Sequence, residues 1–192
     1  MTPLFSMLRK FVINPLDGYE KILIPENNKL VYLLPTLYGL IYGASITISK
    51  FGLTHFGSVL GHLISDTLLK ILFVFIFCYV YAWIILFISQ LLKGISNINL
   101  TFSLVSYSLI PMIIGVALIL AFKVIIDSID LSKQSLYYVN MFLFYFQYLF
   151  VLWSLYILII GNAMINDFSK IKSSIATVGL VIFLMVIGYL FP

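Results

Sequence analysis

Long apolar runs alternate with short polar breaks along this chain. Each run, at roughly 20 residues, is long enough for a helix to cross the hydrocarbon core of a bilayer. Five runs qualify, at about 30–49, 71–92, 103–126, 138–161 and 174–191. They predict five transmembrane helices. The breaks after the second run (Lys93, Asn97, Asn99) and after the fourth (Asp167, Lys170, Lys172) are short, which predicts antiparallel neighbours. Residues 51–66, FGLTHFGSVLGHLISD, are too polar and glycine-rich to span, and predict a short helix at the interface or a shallow re-entrant segment.

The first 29 residues have a different pattern. Thr2 and Pro3 suit the start of a helix that places Leu4, Leu8, Phe11 and Val12 on one face, with Ser6, Arg9 and Lys10 on the other. Asn14-Pro15 breaks it and starts a second piece with Asp17 in its first turn, where a carboxylate complements the helix dipole. Such helices lie on a membrane. The expected fold class is therefore all-α: an integral membrane bundle of five transmembrane helices over 30–192, preceded by a short amphipathic cytoplasmic arm over 1–29. No internal repeat or low-complexity tract is evident.

Composition sharpens this picture. With 62% hydrophobic and 9% charged residues and a mean hydropathy of +1.14, the chain cannot cover a soluble domain with a solvated surface. Its net charge of +4 is dispersed, with no dense basic face for nucleic acid. With the N-terminus inside, Arg9, Lys10, Lys21, Lys29, Lys93, Lys170 and Lys172 face the cytoplasm, while Lys50, Lys70, Lys123 and Lys133 lie outside. That bias predicts a cytoplasmic N-terminus and an outside C-terminus. The sequon Asn99-Leu100-Thr101 would then face inward and stay bare. Arg9 and Lys10 follow the short apolar start, which does not resemble a cleavable signal, so the first span is expected to be retained. Cys78 is the single cysteine, so an intramolecular disulfide is excluded.

Polar residues inside apolar runs are the candidate functional positions. Ser103, Ser106 and Ser108 can return their hydroxyls to carbonyls of the preceding turn. Pro111 removes a backbone donor and crowds the Tyr107 carbonyl, so Ser106, Tyr107, Ser108 and Pro111 predict a kink or a polar pocket in the third span. Packing alone accounts for such a kink; a hinge or binding pocket is the functional alternative. Lys123 and Asp127 share a helix face near the outer end of that span, where a lysine can snorkel, and with Asp66, Lys70 and Asp130 they form a candidate outer charged cluster for an ion or headgroup. Gly39, Gly43 and Thr47 make a small-residue stripe, with Pro35 one turn earlier; it predicts close helix packing within the chain, with self-association as the alternative. Ten of the twenty residues from Tyr137 to Tyr156 are aromatic. Tyr137 and Tyr138 fit an interfacial belt, whereas Tyr145, Gln147, Tyr148 and Trp153 lie deeper and need partners or a lipid-like ligand. Asn162, Asn166 and Asp167 mark the inner end of the fourth span, where polarity costs little. His55 and His62 lack a third ligand, so no metal site is expected. Motifs for hydrolytic, phosphate-binding or thiol chemistry are missing, and neither a catalytic residue nor a cofactor is expected.

The order of features resembles the Yip family, the Ypt/Rab-interacting membrane proteins with five spans. The resemblance rests on FVINPLDGYEKI at Phe11–Ile22, the bulky second span with Trp83 and ILFISQLLKG, the run Tyr107-Ser108-Leu109-Ile110-Pro111, and LWSLYILIIGNAMINDFSKIKSSIA at 152–176. It implies a helical membrane domain with a cytoplasmic N-terminus. Eukaryotic relatives are associated with Rab-type GTPases and traffic between endoplasmic reticulum and Golgi. This chain lacks their Asp-Leu-Tyr-Gly-Pro signature and has a shorter arm, so it is more similar to the prokaryotic branch, whose activity is undefined. The resemblance leads us to expect a non-enzymatic scaffold or adaptor for membrane proteins or lipids in a bacterial cytoplasmic (inner) membrane. Partners would be membrane lipids, a membrane protein or a second copy, and no nucleic acid. A transporter, channel or lipid-moving protein using the kinked third span is the alternative function, and an endoplasmic reticulum or Golgi membrane the alternative location.

Overall fold

The computed structural model describes residues 28–51, 56–127, 129 and 133–179. These residues are helical apart from short connections, and no strand occurs among them. The helices are α1 (Asn28–Phe51), α2 (Phe56–Leu91), α3 (Ile98–Asp127) and α4 (Lys133–Asn166), followed by α5, whose described part is residues 170–179. Most of the arm predicted over 1–29 lies outside the described residues, as do His55 and Asp130, and 180–191 of the fifth predicted span.

Among the described residues four helices carry apolar stretches long enough to cross a membrane: Leu30–Ile48, Ile64–Leu91, Ile98–Ile126 and Gln134–Asn166. Only 28–33% of each apolar window is buried within the protein. The large side chains left outward, among them Leu69, Phe73, Phe77 and Phe87 on α2 and Phe142, Tyr145 and Leu149 on α4, would aggregate in water but suit a lipid surroundings.

The segment 51–66 departs from expectation. From Phe56 onward it is not a separate interfacial helix but the first part of α2, unbroken to Leu91. Its glycines each cost about 1 kcal/mol of helix propensity, whereas leaving backbone groups unpaired at a membrane boundary costs more, so the helix continues. Proline is likewise tolerated: Pro35 and Pro111 lie inside α1 and α3, where neighbouring groups can satisfy the freed carbonyl.

The loops after α2 and α4 are both closed by backbone bonds. After α2, Gly94 N–H donates to Ser89 C=O at 2.7 Å and Lys93 N–H to Gln90 C=O at 3.0 Å, with Lys93 at φ 68°. After α4, Phe168 N–H donates to Ala163 C=O at 2.8 Å and Asp167 N–H to Met164 C=O at 3.4 Å, with Asp167 at φ 54°. The same left-handed cap ends both helices. The next helices start on side-chain caps, with Asn97 Oδ1 accepting from Leu100 N–H and Ser169 Oγ from Lys172 N–H.

The chain divides into two compact units: residues 1–32, 78–108 and 155–192, and residues 33–77 and 109–154. They are called the polar-core unit and the glycine-packed unit below, for what each contains.

Candidate functional site

In the polar-core unit an asparagine pair organises the interior. Asn162 and Asn166 are one turn apart on α4, and only 0% and 3% exposed. Asn166 Nδ2 donates to Asn162 Oδ1 at 2.9 Å, and Ser89 Oγ of α2 donates to the same oxygen at 3.3 Å. Two donors converging on this atom fix the orientation of the Asn162 amide. Asn166 Oδ1 in turn accepts the Ser96 backbone N–H at 3.0 Å. A Cβ at Gly94 would fall on the Asn166 amide and within 2.9 Å of the Phe168 ring. Glycine is therefore required at 94 for space, and the α2–α3 loop is clamped onto the end of α4. Farther along, Tyr81 Oη donates to Thr177 C=O at 2.6 Å, and Ser173 Oγ donates to Ile159 C=O, tying α5 to α2 and α4.

Asn162 and Asn166 do lie at the end of α4, but they are packed inside the protein. Asp167 is exposed, but both asparagines are interior. Their spacing of four residues on one helix face was the available signal.

The Ser106–Pro111 segment is buried throughout except for Leu109. Tyr107 is 1% exposed and among the largest fully buried side chains. Ser103 Oγ donates to Asn99 C=O at 2.8 Å and Ser108 Oγ to Val105 C=O at 2.7 Å, so these two hydroxyls return to the helix. Ser106 Oγ does not: it is fully buried and has no hydrogen-bond partner among the described residues, a property shared by Asn162 Nδ2. Thr101, which completes the sequon, is also fully buried, its hydroxyl bonded to Asn97 C=O at 2.9 Å.

The glycine-packed unit is joined differently. An added Cβ would lie 2.6 Å from the Ile71 Cα at Gly39, 2.9 Å from the Thr67 Cα at Gly43, and 2.6 Å from the Phe150 ring at Gly115. The missing side chains let α1 lie directly against the α2 backbone. Thr47, 0% exposed, donates to Gly43 C=O of its own helix at 3.1 Å. The Gly39, Gly43 and Thr47 stripe is thus covered by the same chain.

Of the expected outer charged cluster, Asp66 and Lys70 lie on α2, and near the end of α3 lies Lys123. It lines a cavity of about 150 Å³ with Tyr42, Ser45 and Gln147 and with aliphatic side chains of α1 and α3. A second cavity, of about 200 Å³, is lined by Phe144, Gln147, Tyr148 and Val151 of α4. The side chain of Asp127 lies outside the described residues. Tyr145 and Tyr148, expected to need buried partners, are 61% and 51% exposed, on the outward face of α4. Gln147 and Tyr148 of the second cavity were among the residues singled out from sequence; the first cavity was not anticipated, because it takes residues 42–46, 116–123 and 147 brought together by the fold.

Helices of this length and apolarity, with large apolar side chains facing outward, define an integral membrane protein with a helical bundle. Within that class the chain belongs to the Yip family: the family's sequence model, described as the Yip1 domain, matches residues 9–191. No curated protein and no solved structure matches the chain.

Proposed function

We propose that this protein is a non-enzymatic scaffold or adaptor that organises partner proteins or lipids in its membrane. The observation that carries the reading is the use of polar side chains in the polar-core unit. Ser89, Ser96, Asn162 and Asn166 engage one another, so groups that could act on a substrate instead hold helices and a loop in place. In our reading the fifth span covers 174–191, the N-terminus is cytoplasmic, and the host is a bacterial cytoplasmic membrane. Because α2 already covers the Gly39–Gly43 stripe, any self-association would use another face. The test is crosslinking in the native membrane, followed by mass spectrometry of proteins that co-purify in mild detergent. A specific protein partner engaging residues 1–29 or the loops near Lys93 and Lys170 is expected. Robust substrate turnover by the purified protein, lost on changing Ser106 or Tyr107, would overturn the reading.

A second reading, a transporter or channel, is favoured by one observation: Ser106 Oγ and Asn162 Nδ2 are buried donors without partners among the described residues, and such groups cost about 1–3 kcal/mol unless something pairs with them. It predicts solute flux in proteoliposomes that changes in Pro111→Leu. Flux equal to that of empty vesicles would sink it.

A further inference from the structure

The geometry points to a binding site in the glycine-packed unit for one phosphate-bearing glycerolipid, its phosphate at Lys123 and the start of an acyl chain along α4. This goes beyond the adaptor reading and does not depend on it.

Depth is the first argument. Lys123 lies three residues before the end of the apolar stretch of α3 at Ile126, and Ser45 three residues before the end of that of α1 at Ile48. At about 1.5 Å per residue both are within roughly 5 Å of the point where apolar helix gives way to interface. The α4 stretch, 33 residues, is about 50 Å long and exceeds the ~30 Å hydrocarbon core by several turns. Gln147 can therefore sit beside Lys123 and Ser45 while the Tyr137–Tyr138 end of α4 extends into the headgroups. The cavity opens where the phosphate and ester groups of a bilayer lipid are found.

Chemistry is the second. Among the described residues the polar lining consists of one ammonium, one carboxamide and two hydroxyls, from Lys123, Gln147, Ser45 and Tyr42. Lysine binds phosphate as a point charge. The amide and hydroxyls can donate to phosphate, glycerol or ester oxygens. At about 150 Å³ the space is about five times the ~30 Å³ share of one liquid water, which accommodates a phosphate group.

Continuity is the third. Gln147 lines both cavities, and the second is otherwise Phe144, Tyr148 and Val151. Positions 144, 147, 148 and 151 form one helical stripe. A polar compartment at the interface thus joins an apolar, aromatic groove through one amide, which is the order of groups in a glycerophospholipid. A free anion would have no use for the groove.

The protein is reconstituted in nanodiscs of phosphatidylcholine doped with phosphatidylglycerol, released into mild detergent, and examined by native mass spectrometry. One phosphatidylglycerol per chain is expected to persist. Lys123→Gln should lower its occupancy about fivefold, the worth of one lysine near a lipid surface, and Gln147→Leu should lower it as well, while Lys172→Gln, at an exposed lysine in the polar-core unit, leaves it unchanged. Thermal unfolding of each lipid-stripped variant checks that the fold survives. If Lys123→Gln does not fold, Val151→Trp, which fills the groove and keeps the charge, must release the lipid. Equal occupancy in wild type and the Lys123 and Gln147 variants, or equal retention of phosphatidylcholine, would reduce the feature to ordinary annular lipid and overturn the proposal. Displacement by inorganic phosphate as effective as by phosphatidylglycerol would make it a free-anion site and overturn the lipid.

Discussion

The two units of this molecule solve the same problem in opposite ways. Among the described residues ten polar side chains are buried, and all but Thr47 belong to the polar-core unit. There, helices are joined by side-chain and loop hydrogen bonds centred on Asn162 and Asn166. In the glycine-packed unit, Gly39, Gly43 and Gly115 let backbone and ring surfaces meet directly, and Thr47 bonds within its own helix. In a bilayer, lipid tails are as apolar as leucine, so burying an apolar side chain between helices gains little. Close van der Waals approach and interhelical hydrogen bonds are the two remaining sources of attraction. The buried asparagine network marks the polar-core unit, and the glycine contacts of Gly39, Gly43 and Gly115 mark the other.

The comparison can be broken most severely at Gly39. Gly39→Ile puts a side chain 2.6 Å from backbone rather than from a movable side-chain tip. The loss should reach the upper end of overpacking effects, about 3 kcal/mol or more, read as loss of folded yield or earlier unfolding in a detergent titration. If stability survives, α1 is not packed on α2 through the stripe. Next comes Asn162→Leu, which removes the acceptor of Ser89 Oγ and Asn166 Nδ2 and should cost about 1–2 kcal/mol, reduced by the remaining bond from Asn166 Nδ2 to the Asn162 backbone carbonyl. Combined with Asn166→Leu it should be strongly non-additive, because the two residues share one network. Additive losses would mean that the asparagines act separately. The smallest effect is expected at Thr47→Val, within about 1 kcal/mol, since the lost hydroxyl served only its own helix. A loss as large as that of Asn162→Leu would erase the distinction between the units.

Much of this was legible in the sequence, for identifiable reasons. Three of the five apolar runs, the first, third and fourth, emerge as helices whose ends lie within about five residues of where hydropathy puts them. The helical start of the fifth lies at residues 170–179. Missed boundaries fall where local composition misleads: 56–66 reads as a polar interfacial piece, yet backbone hydrogen bonding carries it into α2. The asparagine pair was legible as the end of the fourth span, but its burial was not, since counting along one helix ignores what the α2–α3 loop places over its end. Around Lys123 the fold brings together Tyr42, Ser45 and Gln147, which lie far apart in the chain. Partner choice across helices is a property of packing, which a single periodicity does not encode.

The matching caps at Lys93 and Asp167 separate two instructions at the loops after α2 and α4. The turns are closed by backbone bonds, and the clamp beside them is made by Ser89, Gly94, Ser96 and Asn166, none of them charged. The side chains of Lys93, Lys170 and Lys172 are exposed and take no part in that closure. The residues that shape the loops therefore differ from the lysines to which the positive-inside rule assigns sidedness. The sidedness of this protein can be rewritten, by evolution or by design, without redrawing its fold.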